Sequence, residues 1–238
     1  MEMGRERESE IRQDRESVIR EERERFLLAV ITLPGFFPGE AEILEGMLEA
    51  GLEKLHVRKP GVGEGDKVEL LERLAPRWAS RLVLHGTPEL ACQYGIPQIH
   101  GAVELMDGKG RSGGGLLVGA SHGGGLVAGW PAVSTSVHSW KEFEALPAGL
   151  AYAFISPLFD SISKPGYRAN MALLGQPEGS LPCMPVGLGG IGADTIGEMI
   201  SKKWKGAAVL GWVWEEPRGA VKRYEQLKKI LDEQGTNH

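Results

Sequence analysis

The stretch AVSTSVHSWKEFEAL, residues 132–146, holds one complete structural unit. Val133, Thr135 and Val137 alternate with small residues, which is the period of a strand. His138 stands where that strand runs out, and SWKEFEAL then reads as a helix. The same order recurs on both sides of this unit. Upstream, the apolar run FLLAVIT passes through the turn PGFFPGE into AEILEGMLEAGL, whose Ile43, Leu44, Met47, Leu48 and Leu52 keep helical spacing. LEKLHVR, RLVLH and PQIH read as strands two to four, with helices KVELLERLAPRWA and TPELACQYG between them. Asp66 is expected to cap the first of these helices and Thr87 the second, with Pro88 in its first turn and Gly95 as its stop. Downstream, AYAFIS, MPVGL and GAAVLG are strands six to eight. A weak helix is expected at residues 171–174, a loop and helix in GGIGADTIGEMISKK, and a closing helix in EPRGAVKRYEQLKKILDEQ.

Short apolar strands separated by helices define an α/β fold, and their number predicts a closed (βα)8 TIM barrel over residues 26–233. An open doubly wound sheet is the alternative, but no GxGxxG follows the first strand. Two segments break the pattern. Residues 101–131 contain GKGRSGGG and SHGGG. Each glycine costs a helix about 1 kcal/mol against alanine, so a degraded fourth helix is expected, a long loop with one strand-like piece at LLVGAS. Residues 1–25 alternate acidic and basic side chains and carry too few apolar ones for a core. They read as a charged extension, a solvated helix or disordered tail.

Bulk properties narrow the function. The chain has 238 residues, 42% of them apolar and 25% charged, the profile of a soluble protein. A net charge of -5 argues against a nucleic-acid partner. No apolar run reaches membrane-spanning length, and the first 25 residues lack the apolar core of a secretion signal. The expectation is a cytoplasmic protein with no membrane or nucleic-acid partner. Cys92 and Cys183 lie far apart and outside any CxxC pattern, as free thiols do. A homo-oligomer is left open.

Ligands of such barrels lie at the C-terminal ends of the strands. His56, Arg58 and Lys59 follow strand two, His85 strand three, His100 strand four, Ser136 and His138 strand five, and Ser161, Ser163 and Lys164 strand six. Four of the chain's six histidines therefore fall on one rim. Gly189 and Gly190 after strand seven, with Leu210 and Gly211 at the end of strand eight, occupy the recurrent phosphate position of this fold. Arg58 and Lys59 are expected to add positive charge across the mouth. No metal constellation is read: Glu104, Asp107 and Asp160 are scattered, and a zinc shared by His85, His100 and His138 is the alternative.

LHVRKP, SVHSWKEFEAL, SPLFDSISKPGY and VGLGGI, in this order from about Phe26 to Leu231, resemble the thiamine phosphate synthase/TenI (thiazole tautomerase) family. The resemblance implies a barrel that holds a thiazole phosphate on the route to vitamin B1. Synthases of the family carry Gln-x-Arg-x-Lys on strand two and hold magnesium on aspartates after strands three and four. Here strand two reads His56-Val57-Arg58-Lys59, the first aspartate position reads His85-Gly86, and the second falls on Leu105, with Asp107 two residues late. The tautomerase branch shares the strand-two histidine, the glycine after strand three and Ser-Val-His-Ser at the end of strand five. The resemblance thus implies a metal-independent thiazole tautomerase in which His138 is catalytic. His56, Arg58, Lys59, His85, Ser136, Ser161, Ser163 and Lys164 would bind the substrate, Gly189, Gly190, Leu210 and Gly211 its phosphate, and no cofactor is called for. One alternative is a divergent synthase, with magnesium rescued by Glu104 or Asp107. Another is a non-catalytic binding or regulatory protein of the thiamine pathway.

Overall fold

The structure, a computed structural model, describes residues 26–101, 132–160 and 169–235. Strand β1 (Leu27–Ile31) leads into α1 (Glu40–Glu49), β2 (Lys54–Val57) into α2 (Glu64–Trp78), and β3 (Leu82–His85) into α3 (Pro88–Gln93). After β4 (Gln98–His100), β5 (Ala132–Val137) leads into α4 (Trp140–Glu144), and β6 (Tyr152–Ile155) is followed by a 3-10 turn at Met171–Leu173. Then β7 (Met184–Leu188) leads into α5 (Ile196–Ser201) and β8 (Gly206–Val209) into α6 (Ala220–Gly235). All eight strands run parallel and close into a barrel, because β1 pairs with β2 on one side and with β8 on the other. This is the (βα)8 barrel that the sequence predicts. The glycine-rich replacement of the fourth helix and the charged extension, residues 1–25, lie outside the described residues.

Strand alternation divides the interior in two. Val30, Val57, Leu84, Ile99, Val133, Ile155 and Val209 join Leu44, Leu48, Leu71, Leu74, Phe143 and Leu227 of the helices in one continuous core. The opposite faces of the strands bring Ala29, Ile31, Tyr152, Phe154, Val186 and Ala208 together inside the barrel. Each fully buried leucine contributes roughly 1.5–3 kcal/mol by leaving water. The outer layer therefore holds the barrel shut while the inner layer is free to carry polar groups.

Two expected caps take a different form. Helix α2 begins at Glu64, with Gly63 at its N-cap in extended backbone, so Asp66 sits inside the first turn and acts only on the helix dipole. Thr87 does hold the N-cap position of α3, with Pro88 next, but its hydroxyl makes no cap bond and is buried without a partner. Gly95 stops the chain as expected, in the left-handed region at φ 63. Among the described residues, no helix is long and apolar enough to cross a membrane.

Candidate active site

The rim histidines come together because of register. His85 pairs directly with His100 across β3 and β4, and β2 sets His56 beside Val83. Their side chains point into the barrel, where the ring centroids of His85 and His100 stack at 4.4 Å. His56 lies 5.2 Å from His85 and 5.4 Å from His100. Phe154 closes the cluster against the apolar half of the barrel, 4.8 Å from both His56 and His100.

Hydrogen bonds set the tautomers. The Ser134 hydroxyl donates to the Ile99 carbonyl, so it accepts from Nδ1–H of His100 at 3.0 Å. That leaves His100 Nε2 to accept from the Ser136 hydroxyl at 2.9 Å. His56 bonds to the Tyr152 hydroxyl through Nε2 at 2.6 Å and shares a proton with His85 through Nδ1, 3.0 Å from His85 Nε2. Burial keeps all three rings neutral. It takes His56 well below the usual imidazole range, with help from its two histidine neighbours and Lys54. It takes His85 down to about 2, aided by His100, Arg58 and Lys67, and His100 to about 4, aided by Arg58. The ligand atoms of His56, His85 and His100 lie within 4.8 Å of one another. The trio whose atoms could hold a metal therefore includes His56, whereas the sequence alone groups His138 with His85 and His100.

His138 sits beyond the end of β5, exposed at the mouth. Its Nδ1 donates to the Ser156 carbonyl at 3.1 Å, with the Ser156 hydroxyl 3.4 Å away. That bond leaves Nε2 with its lone pair and, among the described residues, no hydrogen-bond partner. Its own amide donates to Glu142 Oε2 at 2.8 Å, and Ser139 Oγ accepts from the Glu142 amide at 3.2 Å. A short helix-capping arrangement thus fixes the backbone that carries the imidazole.

The other expected site residues divide. Arg58 is exposed at the end of β2, and its backbone is pinned by reciprocal bonds with the Thr32 hydroxyl at 3.0 and 3.1 Å. Lys59 is a correction. Its ammonium is buried and spends its donors on Glu40 Oε1 at 2.5 Å and on the Leu33 and Gly35 carbonyls at 2.9 Å. It braces the loop between β1 and α1, so its donors are spent inside the protein. Ser136 binds His100 and is also exposed to the mouth. Ser161, Ser163 and Lys164 lie outside the described residues, but the ends of their connection are tied, with Asp160 Oδ1 accepting from the Ala169 amide at 2.6 Å.

At the proposed phosphate lip, β7 and β8 pair Leu188 with Ala208, so Gly189–Gly190 and Leu210–Gly211 leave the barrel side by side. Gly190 has φ 62, and a side chain there would collide with the backbone of Phe159 and Asp160. Its glycine therefore already serves packing. The Gly192 amide is likewise taken, by Thr195 Oγ1 at 2.9 Å. Lys67 was missed by the sequence reading. It lies almost buried on α2 and close enough to His85 for its charge to act on that ring. The signal was present: Lys67 completes the i, i+3, i+4, i+7 stripe with Leu70, Leu71 and Leu74, and a cation on an apolar stripe is aimed inward.

The magnesium that synthases of the family hold does not fit the residues described after β3 and β4. His85 and His100 offer imidazole nitrogens, and Gly86 no side chain, where that ion requires oxygen.

No family model matches the chain, and none of the curated proteins does. Among solved structures it is similar to thiamine phosphate pyrophosphorylase from Bacteroides thetaiotaomicron, with TM-score 0.62 and 25% identity over 87% of this chain and 98% of that one. The thiamine phosphate pyrophosphorylase from Pyrococcus furiosus gives TM-score 0.64 at 19% identity, covering 89% of this chain and 98% of the other. A 3-hexulose-6-phosphate synthase, at TM-score 0.54 and 12% identity over 83% of this chain and 97% of that one, shares the fold alone. The fold is thus a TIM barrel similar to that of a thiamine phosphate pyrophosphorylase. These likenesses support the thiamine phosphate synthase/TenI family, the one its motifs resemble.

Proposed function

We propose that this chain works in thiamine biosynthesis on a thiazole phosphate, moving a proton between two positions of that ligand. The observation that carries this reading is the state of His138. Its Nδ1 is committed to the Ser156 carbonyl, which leaves Nε2 to act as base and then as acid. The imidazole takes a proton from a ring carbon of the exocyclic carboxylate tautomer and returns it elsewhere on the same molecule, giving the aromatic thiazole. Reactant and product are isomers, so no leaving group or metal ion enters the balance. Arg58 and Lys67 supply positive charge for the substrate's anionic groups, and the glycine lip between β7 and β8 takes its phosphate.

The test is His138→Ala. Turnover is expected to fall by about 10²–10⁴-fold, the usual worth of a positioned acid–base group, while binding of thiazole phosphate measured by calorimetry stays within a few-fold. Unchanged turnover would overturn the reading, and lost binding would make His138 a structural residue.

The Bacteroides and Pyrococcus neighbours, both thiamine phosphate pyrophosphorylases, favour a second reading, a divergent thiamine phosphate synthase. It requires the chain to couple pyrimidine methyl diphosphate to thiazole phosphate with magnesium. Absence of product at high enzyme concentration removes it.

A further inference from the structure

Three imidazoles leave neighbouring strands and meet, among the described residues, with no carboxylate between them. A purely structural cluster would need nothing more than the proton between His56 and His85 and the stacking of His100 on His85. The surroundings, however, are those of a ligand set. The nitrogen of His56 that faces away from the cluster is held by the Tyr152 hydroxyl at 2.6 Å. Nδ1 of His100 is likewise held by the Ser134 hydroxyl at 3.0 Å. Such outer partners fix the tautomer and aim the other nitrogen, as they do for metal-bound histidines.

We propose that His56, His85 and His100 form a binding site for a zinc-like divalent transition-metal ion at the mouth of the barrel. The shared proton between His56 Nδ1 and His85 Nε2, now 3.0 Å apart, marks the place of the ion. Two nitrogens on one tetrahedral zinc sit about 3.3 Å apart, given bonds of about 2.0–2.1 Å, so that pair needs to open by only a few tenths of an ångström. His100, with its donor within 4.8 Å of the others, closes the triad when Nε2 gives up the Ser136 hydroxyl from which it now accepts at 2.9 Å and its ring tilts away from the stack with His85. An all-nitrogen donor set favours zinc, cobalt, nickel or copper and disfavours magnesium and calcium.

Three protein ligands leave a tetrahedral ion with one open position. His56 is fully buried and His100 nearly so, while His85 is partly exposed, so the open position faces the mouth on the His85 side. Arg58 and Lys67 place positive charge beside that same ring. Neutral ligands and two nearby cations favour water, hydroxide, or a carboxylate or phosphate oxygen of the barrel's ligand as the fourth group. This site stands apart from the proton shift assigned to His138, because its ligands leave β2, β3 and β4 and not β5.

The test uses the full chain, stripped with a chelator and titrated with Co²⁺, then with Zn²⁺. The expected result is one equivalent of Co²⁺ giving the intense visible absorption of a four-coordinate site, bleached when Zn²⁺ displaces it. His85→Ala, at the exposed edge of the triad, should weaken binding by more than the ~10–100-fold that loss of an outer partner costs. His100→Gln keeps side-chain polarity without an imidazole and should do the same. His138→Ala should bind Co²⁺ like the parent. Circular dichroism confirms that each variant is folded. No tight equivalent, or the same spectrum in folded His85→Ala and His100→Gln, overturns the proposal. Metal bound at the triad with no affinity for thiazole phosphate would instead count against the function proposed above and leave the site intact.

Discussion

Lys59 and Glu40 meet at 2.5 Å where water does not reach, with side chains 0% and 3% exposed. Burial pulls the Glu40 carboxyl above its ordinary range and the Lys59 ammonium below its own, while their hydrogen bond opposes both shifts. Removing one partner therefore leaves an uncompensated group in the interior. Lys59→Met should cost about 3–5 kcal/mol in urea unfolding, and adding Glu40→Leu should restore most of it. Near-neutral behaviour of the single variant would show that Lys59 is not the brace described. Sequence alone places Lys59 at the rim beside Arg58, and both look like ligand groups. What separates them is the pairing of β2 with β1, which brings Glu40 and the carbonyls of Leu33 and Gly35 to one side chain and not to the other. Partners 19 to 26 residues away have no local signature.

At the scale of elements, the strands were legible because apolar runs and alternation survive in any barrel. MPVGL is β7 residue for residue, and AVSTSV is β5. Helix starts were less legible, since Gly63 competes with Asp66 and only backbone geometry decides between them. Helix α4 shows what an element does for the site. It has five residues, too few to hold itself by its own ladder. Its start depends on Ser139, whose hydroxyl takes the Glu142 amide, while Glu142 returns a bond to the His138 amide. Cap and acid–base residue are thus one structure. Ser139→Ala should lower stability by about 1 kcal/mol in thermal or urea unfolding. Glu142→Ala should lower kcat about tenfold, equivalent to about 1.4 kcal/mol of lost positioning, with KM nearly unchanged. A fall in KM-linked binding instead would place Glu142 at the ligand and not behind His138.

The whole barrel is lined unevenly. From β2 to β5 its inner face carries His56, His85, Gln98, His100, Ser134 and Ser136, and from β6 round to β1 it carries Tyr152, Phe154, Val186, Ala208, Ala29 and Ile31. Each polar residue is visible in the sequence, but their meeting is not, because it depends on eight registers closing together. The uneven lining has a consequence for stability. Folded His100 resists protonation to about pH 4, His85 to about pH 2, and His56 well below its ordinary range, whereas unfolded histidines protonate near about pH 6.5. Between these values the unfolded chain binds protons that the fold refuses, so stability falls as pH drops. Their contribution is complete above about pH 6.5 and is lost progressively as pH falls toward the folded values. In chelator-stripped protein, Tm measured between about pH 7 and pH 4.5 should decline more steeply for the parent than for His85→Gln or His100→Gln. Each variant removes one of the protons that set the slope. Slopes equal to the parent's would mean that the rings protonate as readily inside the barrel as in water, and that the apolar half, with Phe154 against two of them, does not keep them dry.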